Sequence, residues 1–412
     1  MNFDQFQFDK RIDAQIKAVG FEEPTPIQAQ AIPAVLDGRD VMGLAQTGTG
    51  KTAAFMLPIL QRLTKGPLRR VRVLVVAPTR ELAEQIHQTA IDFGKKTKVR
   101  SATVYGGVSK NKQIAELKRG AEIVVACPGR LLDLHGDKAI DLSNVEVLVL
   151  DEADMMMDMG FLPDIKRILK LVPQREQTLF FSATMPKEIS KLANQILKNP
   201  VTVQIGAIAP AETVQHALYP VPHKLKKKLL LDLLKRIDTD RTLVFTRTKY
   251  RARNLARDLD KRGYKAVALQ GNMSQNQRQR AMDGFRDGTY DMLVATDIAA
   301  RGIDVSEISH VINFDIPDTV DAYTHRIGRT GRAESSGEAF TFITEDDTKM
   351  VRDIERRLNQ RIERRTLPDF SYEVEADEGQ NRPKGQSRNG SSSKRNNRRR
   401  RRSSAKRTPQ HS

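Results

Sequence analysis

Residues 40–63 read DVMGLAQTGTGKTAAFMLPILQRL. Residues 40–45 are a short apolar run suited to a buried strand, and from Thr52 to Leu63 apolar positions recur at helical spacing. Between them, Ala45-Gln46-Thr47-Gly48-Thr49-Gly50-Lys51-Thr52 follows the phosphate-cradling Walker A string, with Ala in the first position. Its glycines let backbone amides turn toward a phosphate. The helix that opens there presents free N–H groups and the positive end of its dipole. Lys51 is placed to reach β- and γ-phosphates, and the Thr52 hydroxyl to hold Mg²⁺. A strand that turns into a helix through such a loop is a unit of α/β architecture.

Working outward, the alternation continues. Residues 72–77, 102–105, 123–126, 145–150 and 178–182 read as further strands. Helical patterns lie at 52–63, 81–93 and 164–170. The rhythm restarts with strands at 242–246, 265–269, 292–296 and 310–314 and helices at 249–262 and 277–286. The expected fold class is α/β: two tandem RecA-like, doubly wound parallel-sheet domains followed by a disordered basic C-terminal tail. The expected boundaries are 1–206 for the first domain, 207–213 for the linker, 214–370 for the second domain and 371–412 for the tail. The linker reading rests on GAIAPAET at 206–213, a short, small-residue stretch containing a proline.

Ligands of open α/β sheets sit at the carboxyl ends of strands. Asp151-Glu152-Ala153-Asp154 follows the strand at 145–150, which puts Asp151 beside the phosphates as a second Mg²⁺ ligand, partly through water. Glu152 is placed to orient and deprotonate an attacking water. An acidic cluster after a strand is usually a solvated turn; the company of Lys51 and Thr52 is what raises it above that. The second half has no Walker A string. It does have HRIGRTGR at 325–332, whose Arg326, Arg329 and Arg332 are spaced by glycines that keep the surface small. An arginine supplied across an interface can contribute about 10³–10⁵ in rate. The expected site is therefore composite, with Arg329 and Arg332 completing it and Arg326 bridging to the acidic motif of the first half. An RNA-contacting patch is the rival reading of these arginines.

With AQTGTGKT, DEAD at 151–154, PTRELA at 78–83 and SAT at 182–184, the chain resembles the DEAD-box RNA helicases from Phe3 to about Phe370. HRIGRTGR and the basic tail are similar to the bacterial RhlE-like branch. The resemblance implies an adenine-reading Q motif in GFEEPTPIQ at 20–28. There Gln28 meets the purine edge, Phe21 stacks on it, and Phe3 is the upstream aromatic. It implies coupling through Asp154, Ser182 and Thr184, where a helix cap is the plainer reading of Ser182 and Thr184. It also implies that Gly302 and Asp304 face the nucleotide and that Thr296 contacts RNA. Other implied RNA contacts are Pro78, Thr79, Arg80, Gly106, Gly107, Pro128, Gly129 and Arg130 in the first half, and Arg247, Gly271 and Arg278 in the second. Glycines admit the backbone to phosphates while arginines and hydroxyls bind them. Two positions depart from the family pattern: Met155 stands where Arg is usual, and Cys127 where many members have Thr.

Composition agrees with an anionic partner. The 412 residues carry a net charge of +18 with pI about 9.9. Twelve Lys and Arg and no Asp or Glu fall between Gly379 and Ser412, leaving +6 for everything before. That tail has almost no apolar residue and cannot offset chain entropy by burial. One cysteine excludes an intramolecular disulfide and cysteine-rich metal sites. The start, MNFDQFQFDKR, has no apolar signal core, and no apolar run reaches membrane-spanning length. A monomeric cytoplasmic protein is expected, using ATP and Mg²⁺ and binding RNA without sequence preference. Ribonucleoprotein, RNA-decay or ribosome-related proteins are the expected partners. Three alternatives stay open: a DNA-directed helicase, a non-enzymatic RNA-annealing protein, and an ATP-gated RNA clamp with little unwinding.

Overall fold

The structure is a computed structural model, described for residues 2–45, 48–205, 214–237, 241–300, 308–330 and 337–373. The chain divides into two units, residues 1–372 and 373–412, and the fold is that of the first. The linker expected at 207–213, the tail beyond residue 373, and Gln46, Thr47, Gly302, Asp304 and Arg332 lie outside the described residues.

The described residues form two seven-stranded sheets in which every strand pairs in parallel. The first comprises β1 (Val41–Leu44), β2 (Val73–Val76), β3 (Ser101–Val104), β4 (Ile123–Ala126), β5 (Val147–Leu150), β6 (Gln177–Ser182) and β7 (Val201–Gln204). The second comprises β8 (Val214–Pro220), β9 (Thr242–Phe245), β10 (Ala266–Leu269), β11 (Met292–Ala295), β12 (His310–Asn313), β13 (Gly337–Ile343) and β14 (Glu363–Arg364). The spatial orders are β3-β4-β2-β5-β6-β1-β7 and β10-β11-β9-β12-β13-β8-β14. Counted within each sheet, both orders are 3-4-2-5-6-1-7, so the second half repeats the winding of the first.

Central strands are buried on both faces, and their alternating side chains feed two separate cores. Val73, Val75, Val147 and Val149 pack with the helices Pro26–Leu36, Lys51–Leu63 and Arg80–Gly94. Leu74, Val76, Leu148 and Leu150 pack on the opposite face with the helices Pro128–Gly136, Leu162–Leu171 and Lys187–Ile196. In the second sheet Leu243 and Phe245 point to one core and Val244 to the other.

The repeat extends to charged residues. Lys51 opens the helix after the first strand of its sheet, and Lys226 opens the helix after β8. Asp151 follows the fifth strand of its sheet, and Asp315 lies just beyond β12. Lys226 Nζ is 3.7 Å from Asp315 Oδ1, and both are buried. No glycine occupies residues 221–225, and Arg251 places Nη1 2.6 Å from the Asp315 carboxylate. The cationic role is thus filled by a side chain of the protein itself.

Candidate nucleotide and RNA sites

The strand order sorts the motifs. Loops leaving β1, β5 and β6, on one side of the first sheet, carry the Walker A string, DEAD and Ser182-Ala183-Thr184. Loops leaving β2, β3 and β4, on the other side, carry Pro78–Arg80, Gly106-Gly107 and Pro128–Arg130. In the second sheet, Arg247, Gly271 and Thr296 follow β9, β10 and β11, while Arg326 and Arg329 come after β12. Each sheet therefore has one side that carries the candidate nucleotide residues and a second, loop-and-glycine side.

On the first side, Gly48 and Gly50 have φ of 86° and 92°. Gly50 also touches the helix Pro26–Leu36: an added Cβ would fall 2.5 Å from Gln28 Nε2. Gln28 is 1% exposed. Its Oε1 accepts from Thr25 N at 2.9 Å and its Nε2 donates to the Gly50 carbonyl at 3.2 Å, while Thr25 Oγ1 donates to the Thr49 carbonyl at 2.8 Å. Thr25 and Gln28 of the GFEEPTPIQ segment thus grip the Thr49-Gly50 turn. Ala45 is buried, and its carbonyl accepts from Lys51 Nζ at 2.8 Å. Thr52 is half-buried in the first helical turn. Phe21 is half-buried, 6.0 Å from the ring of Phe3 and 5.5 Å from that of Phe93. Phe3 itself is sealed in the core, so it supports Phe21 and cannot touch a nucleotide; its place among cofactor-binding residues is corrected accordingly.

Asp151 is fully buried, and burial pushes its carboxyl up to about 6, against the nearby charge of Lys51. Glu152 is buried with φ of 51°, a left-handed turn that opens the helix Ala153–Asp158. Asp154 is held from several directions. Its Oδ2 accepts from Thr184 N at 2.7 Å and Thr184 Oγ1 at 2.9 Å, and its own amide donates to Ser182 Oγ at 3.2 Å. Ser182 Oγ in turn donates to the Thr184 carbonyl at 2.8 Å. Met155, the departure after DEAD, is buried with the apolar residues.

The second half reaches this side through His325, whose Nε2 lies 3.7 Å from Asp154 Oδ2. Sequence reasoning missed His325 and gave the bridge to its neighbour. Arg326 is instead 2% exposed and engaged within its own half. It donates to both carboxylate oxygens of Asp297 at 2.5 and 2.7 Å, to Asn313 Oδ1 at 3.0 Å and to the Asp315 carbonyl at 2.7 Å, beneath the ring of Phe245. Four of its five N–H donors are thereby taken within the second half, and no bond to the DEAD motif is among them. Arg329 is buried and lines a small cleft with His325, Arg326, Asp297 and Ala322.

On the other side, Thr79 caps the helix Arg80–Gly94, accepting from Leu82 N. Arg80 lies across Gly107, where φ is 77° and any Cβ would collide with the guanidinium. Pro128 starts the helix Pro128–Gly136, and an added Cβ at Gly129 or at Gly271 would meet nothing within 4 Å. Arg130 Nη1 donates to the Val108 carbonyl at 3.3 Å and to Gln113 Oε1 at 2.9 Å, pinning the Gly106-Gly107 loop. Arg247 is exposed, with Nε 3.3 Å from Asp318. Thr296 is half-buried, and its carbonyl accepts from Ala299 N and Ala300 N. Arg278 requires a correction: it is buried, and Nε donates to Glu81 Oε1 of the first half at 2.7 Å. That pair consumes the charge expected to meet RNA. A second bridge between the halves thus stands on the side away from His325.

The sequence matches the DEAD/DEAH box helicase family over residues 25–192 and the helicase conserved C-terminal domain over residues 225–334. The chain belongs to the DEAD-box RNA helicase family. The RNA helicase CrhR of a Synechocystis strain is 46% identical over 360 residues, 87% of this chain and 73% of that protein. The DEAD-box ATP-dependent RNA helicase CshA of Bacillus cereus is 43% identical over 368 residues, 89% of this chain and 69% of that protein. Among solved structures, S. cerevisiae Dbp5 bound to RNA and ADP BeF3 matches with a TM-score of 0.80 at 30% identity, covering 88% of this chain and 95% of that one. As a DEAD-box protein this chain is an ATP-dependent RNA helicase. No helix among its described residues is long and apolar enough to cross a membrane.

Proposed function

We propose that the two halves close a single ATP site on one side and an RNA path on the other, and that the two bridges between them make each ligand favour the other. The observation that carries this is the pair of bridges, Asp154 with His325 on the DEAD side and Glu81 with Arg278 on the side of the Thr79 and Gly271 loops. A ligand that gains contacts only in the bridged arrangement stabilises the state its counterpart prefers.

In the ATP site, Phe21 and Gln28 hold the base end and the amides of the Gly48–Thr52 loop cradle the phosphates. Lys51 exchanges the Ala45 carbonyl for a phosphate oxygen. Asp151 and Thr52 fit Mg²⁺. A buried carboxylate whose charge is opposed by desolvation gains from a nearby dication, and Mg²⁺ is usually held by one or two protein oxygens with phosphates and waters. When bound, that ion would neutralise phosphate charge. Glu152 orients and deprotonates the attacking water, and Arg329 with Arg332 stabilises the charge that develops on the transferred phosphoryl group. Gly302 and Asp304 complete the ribose end. Asp154, Ser182 and Thr184 transmit occupancy to His325.

RNA lies along Pro78–Arg80, Gly106-Gly107 and Pro128-Gly129 in one half and Arg247, Gly271 and Thr296 in the other, read by backbone rather than by sequence. The result is local strand separation followed by release, with remodelling of RNA and ribonucleoprotein, by a cytoplasmic monomer of the RhlE-like branch. The basic tail adds non-specific affinity, with a salt slope of at most roughly 8 from twelve cations. Ending the chain near Glu378 should flatten that slope and leave basal ATPase intact. The deciding assay measures phosphate release with a panel of RNAs and DNAs. Stimulation should be RNA-selective in the wild type and absent in Lys51→Ala and Glu152→Gln. Unchanged turnover in Glu152→Gln removes Glu152 as the base, and equal stimulation by DNA removes the RNA reading.

A further inference from the structure

The helix Lys249–Asp260 follows β9 on the loop-and-glycine side of the second sheet. Its inner face, Ala252, Leu255, Ala256 and Leu259, packs in the core of the second half. On its outer face Tyr250 is 58% exposed, the most exposed large apolar side chain among the described residues. Lys249 Nζ lies 5.4 Å and Arg253 Cζ 5.9 Å from the centre of that ring. Arg253, Arg257 and Lys261 are also exposed. They follow Tyr250 at helical spacing, so one face carries an aromatic ring and then cations for ~16 Å at 1.5 Å per residue. Of the nearby carboxylates, Asp258 is paired with Lys227, and Asp260 is exposed at the end of the helix.

The face is continuous with the proposed RNA path. Lys249 Nζ donates to Asn272 Oδ1 at 3.0 Å, which ties the start of the helix to the loop of Gly271, and Arg247 stands two residues before it. An exposed ring flanked by cations is the arrangement that takes an unstacked base and its phosphates, because every base has a π-face and every nucleotide a charge. A ring this exposed gains little from the core, and the cations of one face repel one another unless an anion lies among them.

We propose that this face is an outboard RNA platform: Tyr250 stacks on a base of the strand as it leaves the Arg247 and Gly271 loops, and Arg253, Arg257 and Lys261 follow its phosphates. The proposal rests on the RNA path described under the proposed function. Its test is equilibrium binding of the full chain, with an ATP analogue, to a short oligouridine that fills only the core path and to versions extended at either end. Tyr250→Ala should weaken an extended RNA by roughly five- to a hundredfold, the usual worth of one stacked base. It should leave the short RNA and basal ATPase unchanged, and Tyr250→Phe should bind as the wild type does. Arg253→Gln with Arg257→Gln should lower the salt slope for the extended RNA by about 1.4. Equal binding of extended RNA by all variants, or equal losses on short and extended RNA, overturns the platform; the first would leave a solvated face or one that serves an acidic protein. Arg247→Ala separates the two readings, since it should weaken both RNAs, and a failure to do so removes the core path instead.

Discussion

A residue's position was legible in the sequence wherever the local backbone dictates it. Lys51 opens a helix after a glycine turn and Asp151 follows a strand, as their motifs require. The chain was silent where a side chain's partner comes from distant sequence. Arg326 read as a bridge to the DEAD motif and Arg278 as an RNA contact. Asp297 and Glu81, 29 and 197 residues away, claim them. Phe3 looked available because a sequence does not show what covers a ring. Cys127 is half-buried against the core, and burial pushes its thiol up to about 12. Almost none of it is thiolate at neutral pH, and the thiolate is the reactive form. Native protein should therefore react with a thiol reagent at least about tenfold more slowly than protein unfolded in denaturant, as followed by absorbance. Equal rates would show the side chain to be accessible.

At the scale of elements, the central strands were readable because burial on both faces leaves unbroken apolar runs such as VLVV at 73–76 and IVVA at 123–126. β7, β8, β13 and β14 escaped. VTVQ at 201–204 is short and partly exposed, β8 contains His216 and ends on Pro220, β13 holds Glu338 and Thr341 among its apolar residues, and β14 has two exposed charged residues. None of these carries the continuous apolar signal. The bridges between elements of different halves had no local signal either, and they are what a coupling experiment can address. Glu81 and Arg278 are both largely buried, so removing one leaves the other charge without its partner. Glu81→Ala, Arg278→Ala and the double variant form a cycle, read as RNA affinity in the presence of an ATP analogue. If the pair latches the halves, its coupling should be about 1–3 kcal/mol, and the two single losses should not add. Additive losses would mean that the pair does not respond to closure.

For the whole molecule, the repeated 3-4-2-5-6-1-7 order lets the two halves be compared position by position. Both place a lysine and an aspartate at matching positions, but in the second half Arg251 joins Lys226 at the aspartate and residues 221–225 hold no glycine. The Asp315 cluster is thereby a fixed joint. Its carboxylate meets Arg251, Lys226 and the amide of Arg247, and its carbonyl accepts from Arg326, so one residue ties the Arg247 loop to the arginine-bearing helix. Burial pushes the Asp315 carboxyl up, yet the hydrogen bonds from Arg251 and the Arg247 amide, with the charges of Arg251 and Lys226, outweigh it and leave it below its ordinary value of 3.8. A carboxylate depressed in the folded state contributes stability that is complete above that ordinary value and is lost as pH falls through the folded one. Asp315→Asn leaves the buried Lys226 ammonium without its carboxylate, beside the half-buried Arg251, and should destabilise the second half by about 3–5 kcal/mol at neutral pH. Calorimetric unfolding of the wild type and the variant should show that difference constant from neutral pH down to about pH 5 and narrowing only as the solution becomes more acidic than about pH 4. A difference already narrowing between neutral pH and about pH 5 would mean that a group other than Asp315 carries the charge of this joint.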